Sequence, residues 1–400
     1  MQQIEGGVTA VAGFSAAGMH AGIKKNSRPD VALLFSDVPC AAAAVFTQNR
    51  CPAPPILLCK RHLRGGVGQA VFINSGNANA GTGAAGDRDA QATARAVSAA
   101  LGIPPRSVCV ASTGVIGERL PMDRIAAAVP ALSTGLSTQG GRLAAEAIRT
   151  TDTFAKEVAL RGGVGRGQIT LGGMAKGSGM VHPNLATMLA FLTTDADLPP
   201  HLLRAALREA VADSFHCITV DGDTSTNDMV LCLANGKSGV SIRAMGVAYR
   251  QFVSLLSAAS LALAKMIVAD GEGATKRIEI CVMGATTHRA AHRVAMAIAK
   301  SSLVKTAFFG EDANWGRIIA AIGNAGVPVH PEKIDLTFGD VCLLRRSVYL
   351  GREAEAAVAR LLKEREIRLT VHLHAGAGRA TVWTSDLSLK YVKINAAYRT

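Results

Sequence analysis

Hydrophobic positions along the chain alternate between strand-like and helical spacing. The short β-branched runs at 69–73 (QAVFI) and 107–112 (SVCVAS) predict strands. The windows at 89–102 and 124–132 instead carry apolar residues at the three- and four-residue spacing of an amphipathic helix. Strands that alternate with helices in this way predict an α/β fold.

The pattern changes after residue 160, where glycine becomes dense. Segment 161–179 contains a β-like QITL run between glycines, which predicts a hairpin followed by a long ordered loop. We therefore expect a domain boundary between residues 160 and 187. Beyond it the pattern predicts a helix at 200–214, strands at 218–222 and 229–236, helices at 245–267 and 287–301, and strands at 367–376 and 380–388.

Length and composition indicate a protein with a large buried core. The chain has 400 residues, of which 49% are hydrophobic and 18% are charged. This is the composition of a compact protein, and the length allows two packed lobes or one large layered domain. Only 4% of the residues are aromatic, so the base-stacking surfaces of nucleic-acid-binding proteins are not expected.

The formal charge of +13 and the cysteines bear on partners and location. The 43 Lys and Arg residues are scattered, which argues against a basic, non-catalytic nucleic-acid-binding protein without excluding it. The eight cysteines form no CxxC pair, and the N-terminus lacks a signal peptide, so we expect a cytoplasmic protein. The apolar stretch 252–268 contains Ser and Lys, and we expect a core helix that is too short to span a membrane.

Two runs resemble ligand-binding motifs but do not meet the requirements of those motifs. GTGAAG at 81–86 precedes a helix like a dinucleotide fingerprint, but it starts eight residues after the preceding strand is expected to end. DGDTSTND at 221–228 has Thr226 and Cys232 where a calcium loop needs Gly and Glu. We expect a glycine-rich turn in the first run and a turn locked by side-chain hydrogen bonds in the second.

Histidines at metal-like spacing occur in two places. His288 and His292 are four residues apart on a predicted helix, and His372 and His374 share one face of a predicted strand. Neither pair has an evident third ligand, so structural or surface roles are favoured. We therefore expect no metal and no bound cofactor.

Three segments carry groups suited to a small polar substrate. A predicted strand leads into Thr113-Gly114, where glycine lets the backbone bend and present an amide to an oxyanion. Lys176 among glycines could hold a carboxylate, and Glu272 in a glycine-framed loop could hold a cation. From the residues alone, an ordinary turn and two solvated loop charges stay open as the alternative.

The segment 176–196 (KGSGMVHPNLATMLAFLTTDA) places Thr187 at the start of an apolar run. A strand threonine is the ordinary explanation, because β-branched residues suit strands. If the peptide bond between Ala186 and Thr187 breaks instead, Thr187 gains an α-amine with a pKa of about 8. That amine can act as the general base for the hydroxyl of the same residue, so no separate histidine or aspartate is required.

This segment closely resembles the cleavage-site signature of the ornithine acetyltransferase family, the bifunctional glutamate N-acetyltransferases of arginine biosynthesis. Other segments resemble the family in order along essentially the whole chain, namely GGVTAVAGFSAAG, AVFTQNR, VFINSGNANAGTG, VASTGVIGE, TTDTF, ITVDGDTSTND, MIVADGEGATK, FFGEDANWGRI and INAAYRT. The tail departs from the family at Ala397, where Asp is common. The resemblance implies an α/β (α+β) layered sandwich of the N-terminal-nucleophile type, with the DmpA/ArgJ-like fold.

The resemblance also implies a mechanism. The chain would cut itself between Ala186 and Thr187 into an alpha chain, 1–186, and a beta chain, 187–400, assembled as an α2β2 heterotetramer. Thr187 would take the acetyl group of N2-acetylornithine, release ornithine and pass the acetyl group to glutamate. Thr113 and Gly114 would form the oxyanion hole. The implied substrate contacts are Thr153, Lys176, Thr187, Glu272, Asn395 and Thr400.

Two alternatives concern the reaction itself. Acetyl-CoA as a second acetyl donor would make the enzyme an amino-acid N-acetyltransferase as well. A related self-processing aminopeptidase (amidohydrolase) would share the nucleophile and oxyanion hole but hydrolyse its acyl-enzyme. The residues that discriminate between transfer and hydrolysis are the substrate contacts Lys176, Glu272, Asn395 and Thr400. We expect neither nucleic acid nor membrane as a partner.

Overall fold

The computed structural model describes residues 1–182 and 188–397. They form two compact units, one made of the described residues of 1–216 and of 223–267, the other of 217–222 and 268–397. The domain boundary predicted between 160 and 187 is wrong, because the strand Gly167–Lys176 inside that segment pairs with the strands Lys156–Val164 before it and Leu189–Thr194 after it in one sheet of the first unit. Cleavage into fragments 1–186 and 187–400 is a prediction separate from the domain boundary, and the cleavage point lies outside the described residues.

Strands and helices are numbered here in chain order. The strands are β1 Gln2–Gln3, β2 Phe14–Met19, β3 Val31–Phe46, β4 Val67–Asn77, β5 Val108–Val115, β6 Lys156–Val164, β7 Gly167–Lys176, β8 Leu189–Thr194, β9 Ile218–Thr219, β10 Met229–Ala234, β11 Arg277–Ala285, β12 Asp335–Phe338, β13 Val341–Arg345, β14 Val348–Tyr349, β15 Glu366–His372 and β16 Gly378–Ser385. The α-helices are α1 Pro54–His62, α2 Gly83–Leu101, α3 Met122–Thr134, α4 Gly141–Ala147, α5 Pro200–Ala212, α6 Val247–Ala269, α7 His288–Lys300, α8 Ser302–Phe309, α9 Trp315–Gly323, α10 Arg352–Leu361 and α11 Leu389–Ala397. The predicted helices and strands are all present, although the strand predicted at 218–222 is only two residues long.

Strand β4 is longer than the sequence predicted, and this changes the spacing of the GTGAAG run. The strand ends at Asn77 rather than near residue 73, so the first glycine follows it by four residues instead of eight. The run itself begins helix α2, and Asn79 Nδ2 donates a hydrogen bond to the carbonyl of Gly86 at 3.0 Å. A β-carbon at Gly86 would lie 1.9 Å from Thr82 Oγ1, so this glycine serves the packing of its own turn.

A sheet buried on both faces is the centre of the first unit. In the described residues its nine strands follow the order β1-β6-β7-β8-β10-β3-β4-β5, with β2 paired to β3. Ala70 and Phe72 of β4 pack into the core that contains α2 and α3, while Val71 and Ile73 pack into the core that contains α4. This gives the layered α/β arrangement that the sequence predicts.

The glycine-dense segment is a hairpin against which a long helix packs. Strands β6 and β7 pair directly through a two-residue turn, as predicted. A β-carbon at Gly162 would lie 3.1 Å from Leu255 of α6, and one at Gly173 would lie 3.0 Å from Leu263. The glycines therefore let helix and hairpin approach closely, which explains why their density does not mark a linker.

Helix α6 is a core helix, although it is longer than expected. With 23 residues it is long and apolar enough to cross a membrane, so the expectation that it is too short was wrong. Half of its most apolar stretch is buried within the protein. The buried positions, which include Phe252, Leu256, Ala259 and Leu263, recur at the spacing of one helix face.

The second unit contains a sheet with one core face. In its described part the strand order is β14-β13-β12-β15-β11-β16-β9. Ile278, Ile280 and Val282 of β11 face a core shared with helices α7 to α10, while Glu279 and Cys281 between them are only half-buried. This alternation is typical of a sheet packed on one side.

A buried carboxylate with two lysines joins three segments of the first unit. Asp152 Oδ1 lies 2.7 Å from Lys156 Nζ, and Oδ2 lies 3.9 Å from Lys176 Nζ. The backbone N–H groups of Gly177 and Thr150 also donate to this carboxylate, at 2.7 and 2.9 Å. Burial alone would raise the pKa of Asp152, but the two ammonium groups and the hydrogen bonds hold it well below its ordinary value.

Asp152→Asn is expected to lower the free energy of unfolding by about 3 to 5 kcal/mol, because it leaves buried ammonium groups without their counter-charge. The native pKa lies below the unfolded value of about 3.9, so the carboxylate stabilises the fold above that pH and loses this effect as the pH falls through the native pKa. The difference between wild type and variant should therefore be constant from about pH 8 to about pH 5 and shrink below about pH 4.

Denaturant titration of both proteins across this pH range checks the prediction. Asp123→Asn, which changes an exposed aspartate in the same unit, is the matched control and should have a much smaller effect. Equal stability of wild type and Asp152→Asn at pH 7 would contradict the role assigned to the cluster.

Candidate active site

The candidate oxyanion residues lie at the paired ends of two parallel strands. Strands β4 and β5 pair so that Gly76 lies opposite Gly114, beside the buried Thr113. Gly114 has a φ of +130°, and a β-carbon there would lie 2.3 Å from the carbonyl carbon of Gly76 and 2.5 Å from the nitrogen of Asn77. Only glycine fits this position, so the close approach of the two strands fixes the backbone at the site.

Lys176 lies beside Thr113 in the folded unit, although the two are distant in sequence. It ends strand β7, and its Nζ donates to Thr113 Oγ1 at 3.3 Å and to Thr150 Oγ1 at 2.8 Å. Its side chain is 3% exposed, so the alternative of a solvated loop lysine is wrong. Together with Asp152, these contacts place a buried cation next to the candidate oxyanion residues.

The end of the run 221–228 supports the same strand ends. Asn227 Nδ2 donates to the carbonyl of Ala78 at 2.6 Å and to that of Ser112 at 2.9 Å. The Asn227 N–H donates in turn to Ser225 Oγ at 3.1 Å. The expected turn with side-chain hydrogen bonds is confirmed here, and it fixes the residue that precedes Thr113.

Asp228 fixes the chain directly after Thr187, a role that the sequence did not predict. This fully buried carboxyl accepts a hydrogen bond from the backbone N–H of Met188 at 2.9 Å. Burial raises the pKa of Asp228 well above its ordinary value, although the bond from Met188 and the charge of Lys176 act in the opposite direction. The density of Asp, Ser and Thr in the run 221–228 indicated side-chain hydrogen bonds to the backbone, but it did not identify Met188 as the partner of Asp228.

In the second unit, two predicted substrate contacts lie together. Asn395 Nδ2 of α11 donates to Glu272 Oε2 at 2.8 Å. The loop of Glu272 is held by the buried Asp386, whose Oδ1 accepts from the N–H groups of Thr275 and Lys276 at 2.8 and 2.9 Å. A carboxylate with an adjacent amide can bind an ammonium group, which is the chemistry expected for Glu272.

The remaining predicted residues fall into two groups. Thr153 is exposed and directly follows Asp152. The positions of Ala186, Thr187 and Thr400 lie outside the described residues. Among the candidate metal ligands, His374 Nε2 lies 2.7 Å from Asp335 Oδ2. No group of three or more His, Cys, Asp or Glu suited to a metal occurs within 1–182 and 188–397.

Sequence comparison identifies the relatives of this chain. A family model described as the ArgJ family matches residues 15–400. The arginine biosynthesis bifunctional protein ArgJ of Symbiobacterium thermophilum is 54% identical over 403 aligned residues and covers 100% of both chains. The protein of the same description from Geobacter sulfurreducens is 49% identical over 391 residues, covering 98% of this chain and 100% of its own.

Structure comparison agrees with the sequence matches. The crystal structure of the arginine biosynthesis bifunctional protein ArgJ from Bacillus halodurans is 43% identical, with a TM-score of 0.50, covering 52% of this chain and 97% of its own. The predicted family, the α/β fold of the ArgJ type and the predicted acetyltransferase function are confirmed at the level of the family. The chain therefore belongs to the ArgJ family, the family of the bifunctional proteins of arginine biosynthesis.

Proposed function

We propose that this chain is a glutamate N-acetyltransferase that moves the acetyl group of N2-acetylornithine to glutamate through an ester on Thr187. The observation that carries the proposal is the arrangement in the first unit of the Thr113 hydroxyl, the Gly114 backbone and the Lys176 ammonium. Acyl transfer between amino acids needs an oxyanion site and a cation for a carboxylate, and these groups supply both.

We infer that the enzyme matures by cleavage between Ala186 and Thr187. The hydrogen bond from Met188 to the buried Asp228 supports this, because it fixes the residue that follows the new N-terminus. The solved Bacillus halodurans chain gives further support, since 97% of it matches only 52% of this chain. A fragment that begins at Thr187 would likewise comprise a little over half of the 400 residues.

The proposed chemistry has two halves with Thr187 as the acetyl carrier. Thr187 Oγ attacks the acetyl carbonyl, and its α-amine takes the hydroxyl proton. The bond from the acetyl carbon to the α-nitrogen of ornithine breaks, and the leaving amine takes that proton. The α-amine of glutamate then attacks the threonine ester, and the proton that it releases returns to Thr187 Oγ through the α-amine. In both halves, Thr113 and Gly114 stabilise the charge on the carbonyl oxygen.

The proposed contacts have the charges that the ends of the substrates require. Lys176 suits the α-carboxylate that ornithine and glutamate share, and Glu272 with Asn395 suits the δ-ammonium of ornithine. Thr153 and Thr400 are proposed as further contacts on the family resemblance. The description of the relatives as bifunctional supports acetyl-CoA as a second acetyl donor. The α2β2 assembly and the cytoplasmic location stay predictions.

Self-cleavage is tested by the intact mass of freshly purified, denatured protein. We expect two fragments, 1–186 and 187–400, from the wild type and a single species of 41.4 kDa from Thr187→Ala. Thr187→Ser should give a mixture of the uncut chain and the two fragments, because serine keeps a hydroxyl but is a different nucleophile. A wild type that stays uncut would contradict maturation at this bond.

Thr113→Ala is expected to lower kcat for acetyl transfer about a hundredfold or more, the usual effect of losing one oxyanion donor. The assay measures N-acetylglutamate formed from N2-acetylornithine and glutamate. KM for both substrates should change little, because Thr150 and Asp152 still hold Lys176.

Thr134→Ala, at the exposed end of α3, is the control and should be fully active. Unchanged turnover in Thr113→Ala would remove Thr113 from the oxyanion site. If the enzyme hydrolyses peptide amides and transfers no acetyl group to glutamate, the aminopeptidase alternative would be favoured.

A further inference from the structure

The donor and acceptor of the proposed reaction differ in the charge of their side chains. N2-acetylornithine carries one carboxylate and a side-chain ammonium, whereas glutamate carries two carboxylates. Lys176 suits the carboxylate that both share, so the second carboxylate of glutamate requires another hydrogen-bonded partner if it is removed from water. A second cation near Thr113 and Gly114 would be such a partner.

Lys24 lies beside the strand end that carries the candidate oxyanion site. A β-carbon added at Gly76 would lie 3.0 Å from Cγ of Lys24 and 3.3 Å from Cγ2 of Ile23. Gly76 is also the residue whose carbonyl carbon lies against Gly114. The Lys24 side chain therefore passes next to Gly76, the residue that lies opposite Gly114.

The backbone of Lys24 is held rigidly at this place. Asp30, which is completely buried, accepts hydrogen bonds from the backbone N–H groups of Ala21, Ile23 and Lys24 at 2.6, 2.7 and 2.9 Å. The backbone N–H of Ser75 donates to the carbonyl of Asp30 at 2.8 Å. These bonds fix the segment 21–30 to strand β4, so its lysine is preorganised rather than carried by a free loop.

The ammonium of Lys24 can bind an anion. It is half-buried and donates one hydrogen bond, at 2.7 Å, to the carbonyl of Pro29. Within the described residues no carboxylate forms an ion pair with it. Burial and the nearby charges of Arg28 and Lys176 lower the pKa of Lys24, the charges of Asp30 and Asp152 raise it, and the balance leaves it at about 8. An ammonium with three donors and a single backbone acceptor can still bind a carboxylate.

We propose that Lys24 forms a second carboxylate subsite that binds the side-chain carboxylate of the acceptor glutamate. The inference rests on the proposed function, because it assigns a role within the same reaction. Lys176 and Lys24 provide two neighbouring cations of the first unit for an acceptor with two carboxylates. The donor, which has one carboxylate, does not require Lys24. Lys24 is therefore a specificity residue for the acceptor.

The test compares glutamate with glutamine, which has the same shape but a neutral side chain, as acceptors of the acetyl group from N2-acetylornithine. The wild type should prefer glutamate in kcat/KM. In Lys24→Met this preference should fall about tenfold to a hundredfold, the usual range for one charge-assisted hydrogen bond. Lys24→Arg should retain most of the preference. Lys25→Met, which changes the exposed neighbour, should behave as wild type.

A second measurement separates acceptor binding from a structural effect. The burst of ornithine released from N2-acetylornithine alone reports acetylation of the enzyme, and it should be the same in Lys24→Met as in wild type. An unchanged preference for glutamate, or an equal loss of burst and transfer, would overturn the subsite while leaving the proposed function intact. A wild type that forms no N-acetylglutamate would overturn the proposed function, and the subsite with it.

Discussion

The buried carboxylate of Asp152 is the constraint on which the first unit depends. It is fully buried, yet it is kept charged by Lys156 and Lys176 and by backbone N–H groups. Such a carboxylate is tolerated in a protein interior only when its partners stay in place. The segment around residue 150, the start of β6 and the end of β7 are therefore fixed relative to one another, and Lys176 is held beside Thr113.

Close packing of backbones is the second feature that shapes the site. Gly114 lies against Gly76, and both positions have φ values that favour glycine. Asn227 then fixes both strand ends, because its side-chain amide donates to the carbonyls of Ala78 and Ser112. The polar groups proposed to stabilise the reacting carbonyl are thus placed by strand ends rather than by free loops, which is a requirement for stabilising a developing charge without reorganisation.

Much of the fold and part of the site could be predicted from the sequence. The helix and strand periodicities identified many elements between residues 69 and 301 and the last two strands, but none between 302 and 366. The motifs singled out Thr113, Gly114 and Lys176. Asp152 and Asp228 could not be recognised in this way, because their importance comes from partners such as Lys176 and Met188 that only the fold brings near. The boundary near 160–187 was predicted wrongly for the same reason. The glycines there make room for helix α6, a contact that only the fold creates, and from the sequence alone a glycine-rich segment is indistinguishable from a linker.

The central claim is that Thr187 carries the acetyl group between the two substrates. The most direct test is the intact mass of the fragment that begins at Thr187, measured after mixing the enzyme with N2-acetylornithine in the absence of glutamate. The account predicts that this fragment gains the mass of one acetyl group, and that added glutamate removes it with formation of N-acetylglutamate. Transfer of the acetyl group with no acetylated fragment at any time point would contradict the account.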